Sequence, residues 1–130
     1  MATRLRPKST DLTRAELEIM LIVWQKGECV VHDIKERLPE PKPAYNTVST
    51  IVRILEKKGF VSHRAFGKTH IYYPVISKPA YTRKYVGSVI QNFFDGSISE
   101  LVSFFQKHGD ISDEELHKLS EMLAKQKVFE

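Results

Sequence analysis

The sequence predicts a mainly α-helical protein in two parts: a small helical domain closed by a β-hairpin, then three further helices. Helical apolar spacing dominates the chain. It gives way once, after Gly59, to strict alternation around a Gly67-Lys68 turn, and resumes from Ser77 with a change in charge. At 130 residues, 42% hydrophobic and 28% charged, the chain has the size and balance of one ordinary domain or two small ones.

Residues 1–11 carry Arg4, Arg6 and Lys8 without an apolar pattern and read as a flexible basic arm. The first helix opens at Thr13 with Glu16 at the capping-box position. From Ala15 to Trp24 it is apolar on nearly every side, so it is expected to be wrapped by other elements, and Lys26-Gly27 ends it. Glu28 to Val31 is long enough only to lend an edge to a small sheet. A second, short helix over about Val31–Leu38 buries Ile34 and Leu38, and Pro39, Pro41 and Pro43 close it.

The third helix is the centre of the first domain. In KPAYNTVSTIVRILEKKGF, Val48, Ile51, Val52 and Leu55 fall at i, i+3, i+4 and i+7, one apolar stripe for a core. The opposite face holds Asn46, Ser49, Thr50, Arg53 and Lys57, which can donate to phosphates or base edges and include no acid. Ile54, at the border of that face, is expected to pack under the hairpin. Beyond Gly59, Val61, His63 and Ala65 share one face of the first strand, and Ile71, Tyr73 and Val75 share one face of the second. Glycine first in a two-residue loop suits a type II′ turn. Three helices and a hairpin in this order, two of the helices joined by a short connection, predict a winged helix-turn-helix domain over 12–76. Arg64, Lys68 and His70 give its wing a positive end.

The second part, 77–130, is read as a helical dimerisation domain. A fourth helix runs roughly Lys78–Phe94, with Tyr81, Tyr85, Val89, Ile90, Phe93 and Phe94; Asp95-Gly96 breaks it. A fifth, about Ile98–Gln106, carries Leu101, Phe104 and Phe105. Ser112 and Glu115 form a second capping box for a last helix with Leu116, Leu119 and Leu123. About fifty residues rarely bury enough surface to stand alone, so these apolar faces are expected to meet a second copy as a homodimer. The competing arrangement folds them back on the first domain.

Charge separates the two parts. Residues 1–75 hold 13 Lys/Arg against 8 Asp/Glu, while 76–130 hold 7 against 8, so the basic excess lies with the first part and points to a polyanion. No apolar run could cross a bilayer, and the N-terminus lacks the apolar segment of a secretory signal, so no membrane insertion is expected. With the single Cys29, a cytoplasmic, disulfide-free protein is expected. Catalytic chemistry is not expected: there is no nucleophile elbow or glycine-rich phosphate loop. Cys29 and His32 are too few for a closed metal site, and His63 with His70 across the wing is a weak candidate; neither metal nor cofactor is expected.

The segments LTRAELEIMLIVW, YNTVSTIVRILEKKGF, HIYYPVIS, FFDGSISELVSFF and ISDEELHKLSEML, spanning Leu12 to Leu123, resemble the BlaI/MecI family of bacterial penicillinase repressors. The resemblance implies a homodimeric repressor on a palindromic, inverted-repeat operator in double-stranded DNA. It puts the helix matching Tyr45–Lys57 in the major groove and the wing on the flanking backbone. Carried onto this chain, the DNA contacts are Asn46, Thr47, Ser49, Thr50 and Arg53, with Lys68 and Thr69 at the wing; Tyr45 at the start of the helix and the basic Arg64 and His70 of the wing are expected beside them. Antibiotic-responsive members are released by a regulatory protease at an Asn-Phe bond; that bond corresponds to Phe104-Phe105, where the asparagine is missing, and Asn92-Phe93 does not align with it. The copper-responsive branch carries a cysteine-rich C-terminal motif that the terminal AKQKVFE lacks. The alternative from a different class is a winged-helix protein-interaction module without sequence-specific DNA binding, whose mark would be apolar residues on the outer face of the third helix.

Overall fold

A computed structural model describes residues 11–128; the basic arm expected at the N-terminus lies, but for Asp11, outside the described residues. Six helices and one hairpin follow in order: α1 (Arg14–Lys26), α2 (Val31–Arg37), α3 (Tyr45–Lys57), β1 (Val61–Phe66), β2 (Thr69–Pro74), α4 (Lys78–Phe94), α5 (Ile98–Lys107) and α6 (Asp113–Val128). The chain forms two compact units that divide between Arg83 and Lys84, within α4.

Local chemistry sets the ends of the elements. Thr13 caps α1 reciprocally: its hydroxyl accepts the Glu16 N–H, and the Glu16 carboxylate accepts the Thr13 N–H. Gly27, at φ +88°, turns the chain out of the helix. After α2, the Lys42 ammonium donates to the carbonyls of Glu36 and Leu38, satisfying backbone acceptors that the helix end leaves open.

The first unit holds the core. Ile19, Met20 and Val23 of α1, Ile34 of α2, Val48, Val52 and Leu55 of α3, Phe60 just before the hairpin, and Val61 and Tyr72 within it are all buried. α1 is wrapped by α2, α3 and β2, but less fully than its apolar content predicts, since Leu17 and Leu21 remain exposed. β2 alternates as its sequence predicts. The buried residue is Tyr72, while Ile71, Tyr73 and Val75 lie on the other face. The N–H and C=O of Cys29 both pair with the Tyr72 backbone as the expected edge of the sheet.

The first unit closes through aromatic contacts. Trp24 donates its indole N–H to the Ile76 carbonyl at 2.8 Å. Tyr81 packs on Trp24 and edge-on to Phe60, and its hydroxyl accepts the Leu12 N–H at 3.0 Å. The two units divide inside α4, and Tyr81 packs with residues of the first.

In the second unit, Ser97 and Ser112 accept the N–H groups of Glu100 and Glu115 and cap α5 and α6. Asp95 and Gly96, both at positive φ, make the expected break. No described residue of α4 or α5 is buried.

Candidate nucleic-acid interface

α3 is seated by Val48, Val52 and Leu55, all at most 1% exposed, and Ile51 packs against the same core. That stripe fixes which side faces outward: Tyr45, Asn46, Thr47, Thr50, Arg53 and Lys57 are exposed, and Ser49 is half-buried beside them. Arg53 is not splayed into water. One guanidinium nitrogen donates to Ser49 Oγ at 3.2 Å and another approaches Thr50 Oγ1 at 3.4 Å. The two hydroxyls one turn back hold the cation across the middle of the face, which lowers the rotamer freedom it would lose on contact with an anion.

The acidic residue of this helix is turned aside. Glu56 Oε2 sits 2.8 Å from His63 Nδ1 at the base of the wing, which pairs the carboxylate while the residue still borders the groove beside Ile54. At the start of α3, Ala44 is the N-cap and offers no side-chain acceptor to the first-turn N–H groups. A phosphate oxygen is a suitable acceptor there.

The wing is a two-residue hairpin closed by the pair Phe66 and Thr69. Gly67 has φ +64° and Lys68 does not share the positive angle, as a type II′ turn requires. Lys68, Thr69 and His70 are exposed along the tip. Arg64 is exposed as well, but its guanidinium pairs with Glu28 at 2.9 Å and so points back to the sheet edge. His70 stacks on His63, ring centroids 4.1 Å apart.

Two apolar side chains at this surface lie exposed where the sequence pattern does not predict it. Ile54 does not pack under the wing; it lies 41% exposed in a shallow groove with Thr50, Arg53, Glu56 and Lys57. On the helical wheel it falls with Thr47 and Thr50, and that angle was the available signal. Phe66, 72% exposed, sits at the wing tip on the face it shares with Arg64, as strand alternation allows.

The expected dimerisation residues fall on α4, α5 and α6. Tyr85, Phe93, Phe104 and Phe105 are exposed, while Val89, Ile90, Phe94, Leu101, Leu116 and Leu119 are half-buried within the second unit. Phe94, Phe104 and Phe105 stack edge to face. The side chain of Leu123 lies outside the described residues.

Burial pushes the Cys29 thiol up to about 11, with Asp33 adding to the rise, so it is neither a nucleophile nor a ready ligand near neutral pH. Among the described residues no group of three His, Cys, Asp or Glu side chains is placed to hold a metal, and no helix is long and apolar enough to cross a membrane.

A helix carrying a basic, hydroxyl-rich face beside a β-hairpin, on a three-helix core, defines the winged helix-turn-helix class of DNA-binding domains. The penicillinase repressor family model matches residues 12–125. The chain is 26% identical over 121 residues to the penicillinase repressor of Bacillus licheniformis, covering 92% of this chain and 94% of that protein. It is 28% identical over 119 residues to the methicillin resistance regulatory protein MecI of Staphylococcus aureus strain N315, covering 91% and 97%. The solution structure of the DNA-binding domain of the repressor BlaI superposes with a TM-score of 0.50 at 26% identity, covering 58% of this chain and 94% of that one. The chain therefore belongs to the penicillinase repressor family, whose members are transcriptional repressors and not enzymes.

Proposed function

We propose that this protein is a dimeric, sequence-specific repressor that seats α3 in the major groove of a palindromic operator and lays its wing on the flanking backbone. The observation that carries the proposal is the outer face of α3, where Arg53 is pre-set against Ser49 and Thr50 between exposed Asn46, Thr47 and Lys57. Side chains of this kind read base edges and bind phosphates, and the helix presenting them is fixed by a well-packed stripe. Lys68 and Thr69 at the wing tip are suited to backbone phosphates. The exposed aromatic side chains of α4 and α5 support pairing of two copies, and a two-fold protein matches an inverted repeat. Repression then follows from occupying the site that polymerase needs, in the bacterial cytoplasm. Release by a regulatory protease at the family's Asn-Phe bond is not part of this proposal, since Phe104-Phe105 stands in its place.

One observation favours the alternative of a protein-interaction module: Ile54 is an exposed apolar residue on the outer face of α3. It is outnumbered there by polar and basic neighbours.

Footprinting of the purified protein on its own upstream region, across a salt series, tests the proposal. Protection of two half-sites is expected, with affinity falling steeply as salt rises because counterions are released. Arg53→Ala should lose about 1–3 kcal/mol of binding while keeping the oligomeric state of the parent. Undiminished operator affinity in that variant would remove α3 from the interface.

A further inference from the structure

Ile54 is the apolar side chain of α3 that the DNA-binding proposal leaves without a task. It is 41% exposed although the core stripe lies on the same helix, and it borders the groove with Thr50, Arg53, Glu56 and Lys57, the Glu56 carboxylate being held by His63. Thr47, Thr50 and Ile54 follow one another at helical spacing and all three are exposed, so three methyl-bearing side chains run in one line along the outer face. Arg53 lies beside that line, with its guanidinium drawn to Ser49 and Thr50.

A helix docked in the major groove would cover Ile54. Against a polar base edge, its side chain would strip water from a donor or acceptor and return no hydrogen bond. Against a thymine, whose C5-methyl is the apolar group on the major-groove edge, nothing polar is stranded and a methyl contact is gained. We propose, resting on the DNA-binding function argued above, that Ile54 is a specificity-determining residue. With Thr47 and Thr50 it forms an apolar line that selects thymine methyl groups in each operator half-site, while Arg53 supplies the charged contact beside it.

The test begins with selection of a preferred duplex from a random pool by the full-length protein. Each thymine of that duplex is then replaced singly by deoxyuridine, which removes the 5-methyl and keeps the pairing and the O4 acceptor. Wild-type binding should weaken about fourfold at a minimum of one thymine per half-site, the size expected for one buried methyl group. Ile54→Ala should bind the thymine and uracil duplexes alike at that position, and Ile54→Leu should keep the preference. As an exposed residue, Ile54 can be truncated with the melting temperature unchanged. A wild-type protein indifferent to every uracil, or an Ile54→Ala variant that still distinguishes them, overturns the proposal and leaves the DNA-binding function standing. A pool that yields no preferred sequence overturns both, and leaves Ile54 to a protein contact.

Discussion

Glu16 is the buried charged side chain of the first unit, 5% exposed, and two partners hold it there. Its carboxylate accepts the Thr13 N–H at 2.9 Å and the Lys58 ammonium at 2.8 Å, so it caps α1 and ties it to the end of α3. Burial pushes its carboxyl up, but the Lys58 and Thr13 hydrogen bonds outweigh that and hold it below the usual value. A carboxyl more acidic in the folded chain than in the unfolded one stabilises the fold above the unfolded value. That contribution is lost as pH falls through the folded value, so the melting temperature should drop in acid. Glu16→Gln keeps a side chain able to complete the capping box but removes the charge; it should cost about 1–2 kcal/mol near neutral pH and flatten the acid limb. Glu16→Ala loses both and should cost about 2–3 kcal/mol. Thermal melts of the three proteins over a pH series measure this, and an unchanged acid limb in Glu16→Gln would assign the acid sensitivity to another group.

The hairpin shows how an element divides its work between base and tip. Its base is anchored, since Val61 and Tyr72 are buried and the Cys29 backbone pairs with Tyr72 as a third edge. Its tip is a two-residue turn that needs the left-handed angle of Gly67, φ +64°, with nothing near enough to obstruct a side chain. Gly67→Ala should therefore act through backbone strain alone, costing about 1–2 kcal/mol. Lys68→Ala touches no fold contact of that kind and should leave the melting temperature unchanged. On DNA it should weaken binding evenly across sequences and shrink the salt slope by about one unit. Calorimetric melts and a salt titration of the two variants separate strain from charge. A Lys68→Ala protein with the parent's salt slope would take the wing tip off the phosphates.

At the scale of the whole molecule, the contrast between the units is the informative fact. The first unit buries a core from five elements; α4 and α5 bury no described residue, and Phe93 and Phe104 stand 76% and 47% exposed. Apolar surface contributes about 25 cal/mol per Å² when covered, so a second copy would supply what one copy lacks. Sedimentation should give a dimer whose melting temperature rises with protein concentration. Phe93→Glu should shift it to monomer, remove that concentration dependence, and reduce affinity for a full inverted repeat toward that for one half-site. A wild-type chain that sediments as a monomer at micromolar concentration would exclude this role for α4 and α5.

The order and ends of the elements were legible in the chain because their causes are local. Thr13 with Glu16 marks the start of α1, Gly67 marks the turn of the wing, Asp95-Gly96 marks the end of α4, and the stripe from Val48 to Leu55 marks the buried side of α3. Its counterpart, the outer face with Asn46, Thr47, Thr50 and Arg53, follows from the same periodicity. What periodicity leaves open is which neighbour covers a face. Glu16 meets Lys58 from 42 positions away, Tyr81 leaves the second part of the chain for Trp24 and Phe60, and pairing with Cys29 accompanies Tyr72 turning inward. Ile54 stays outside because the buried side of α3 was already taken by Val48, Val52 and Leu55. The sequence by itself determined the elements and the polarity of their faces, since both depend on residues within a turn or two. Only the tertiary structure decided the partners, because those depend on which surfaces distant segments bring together.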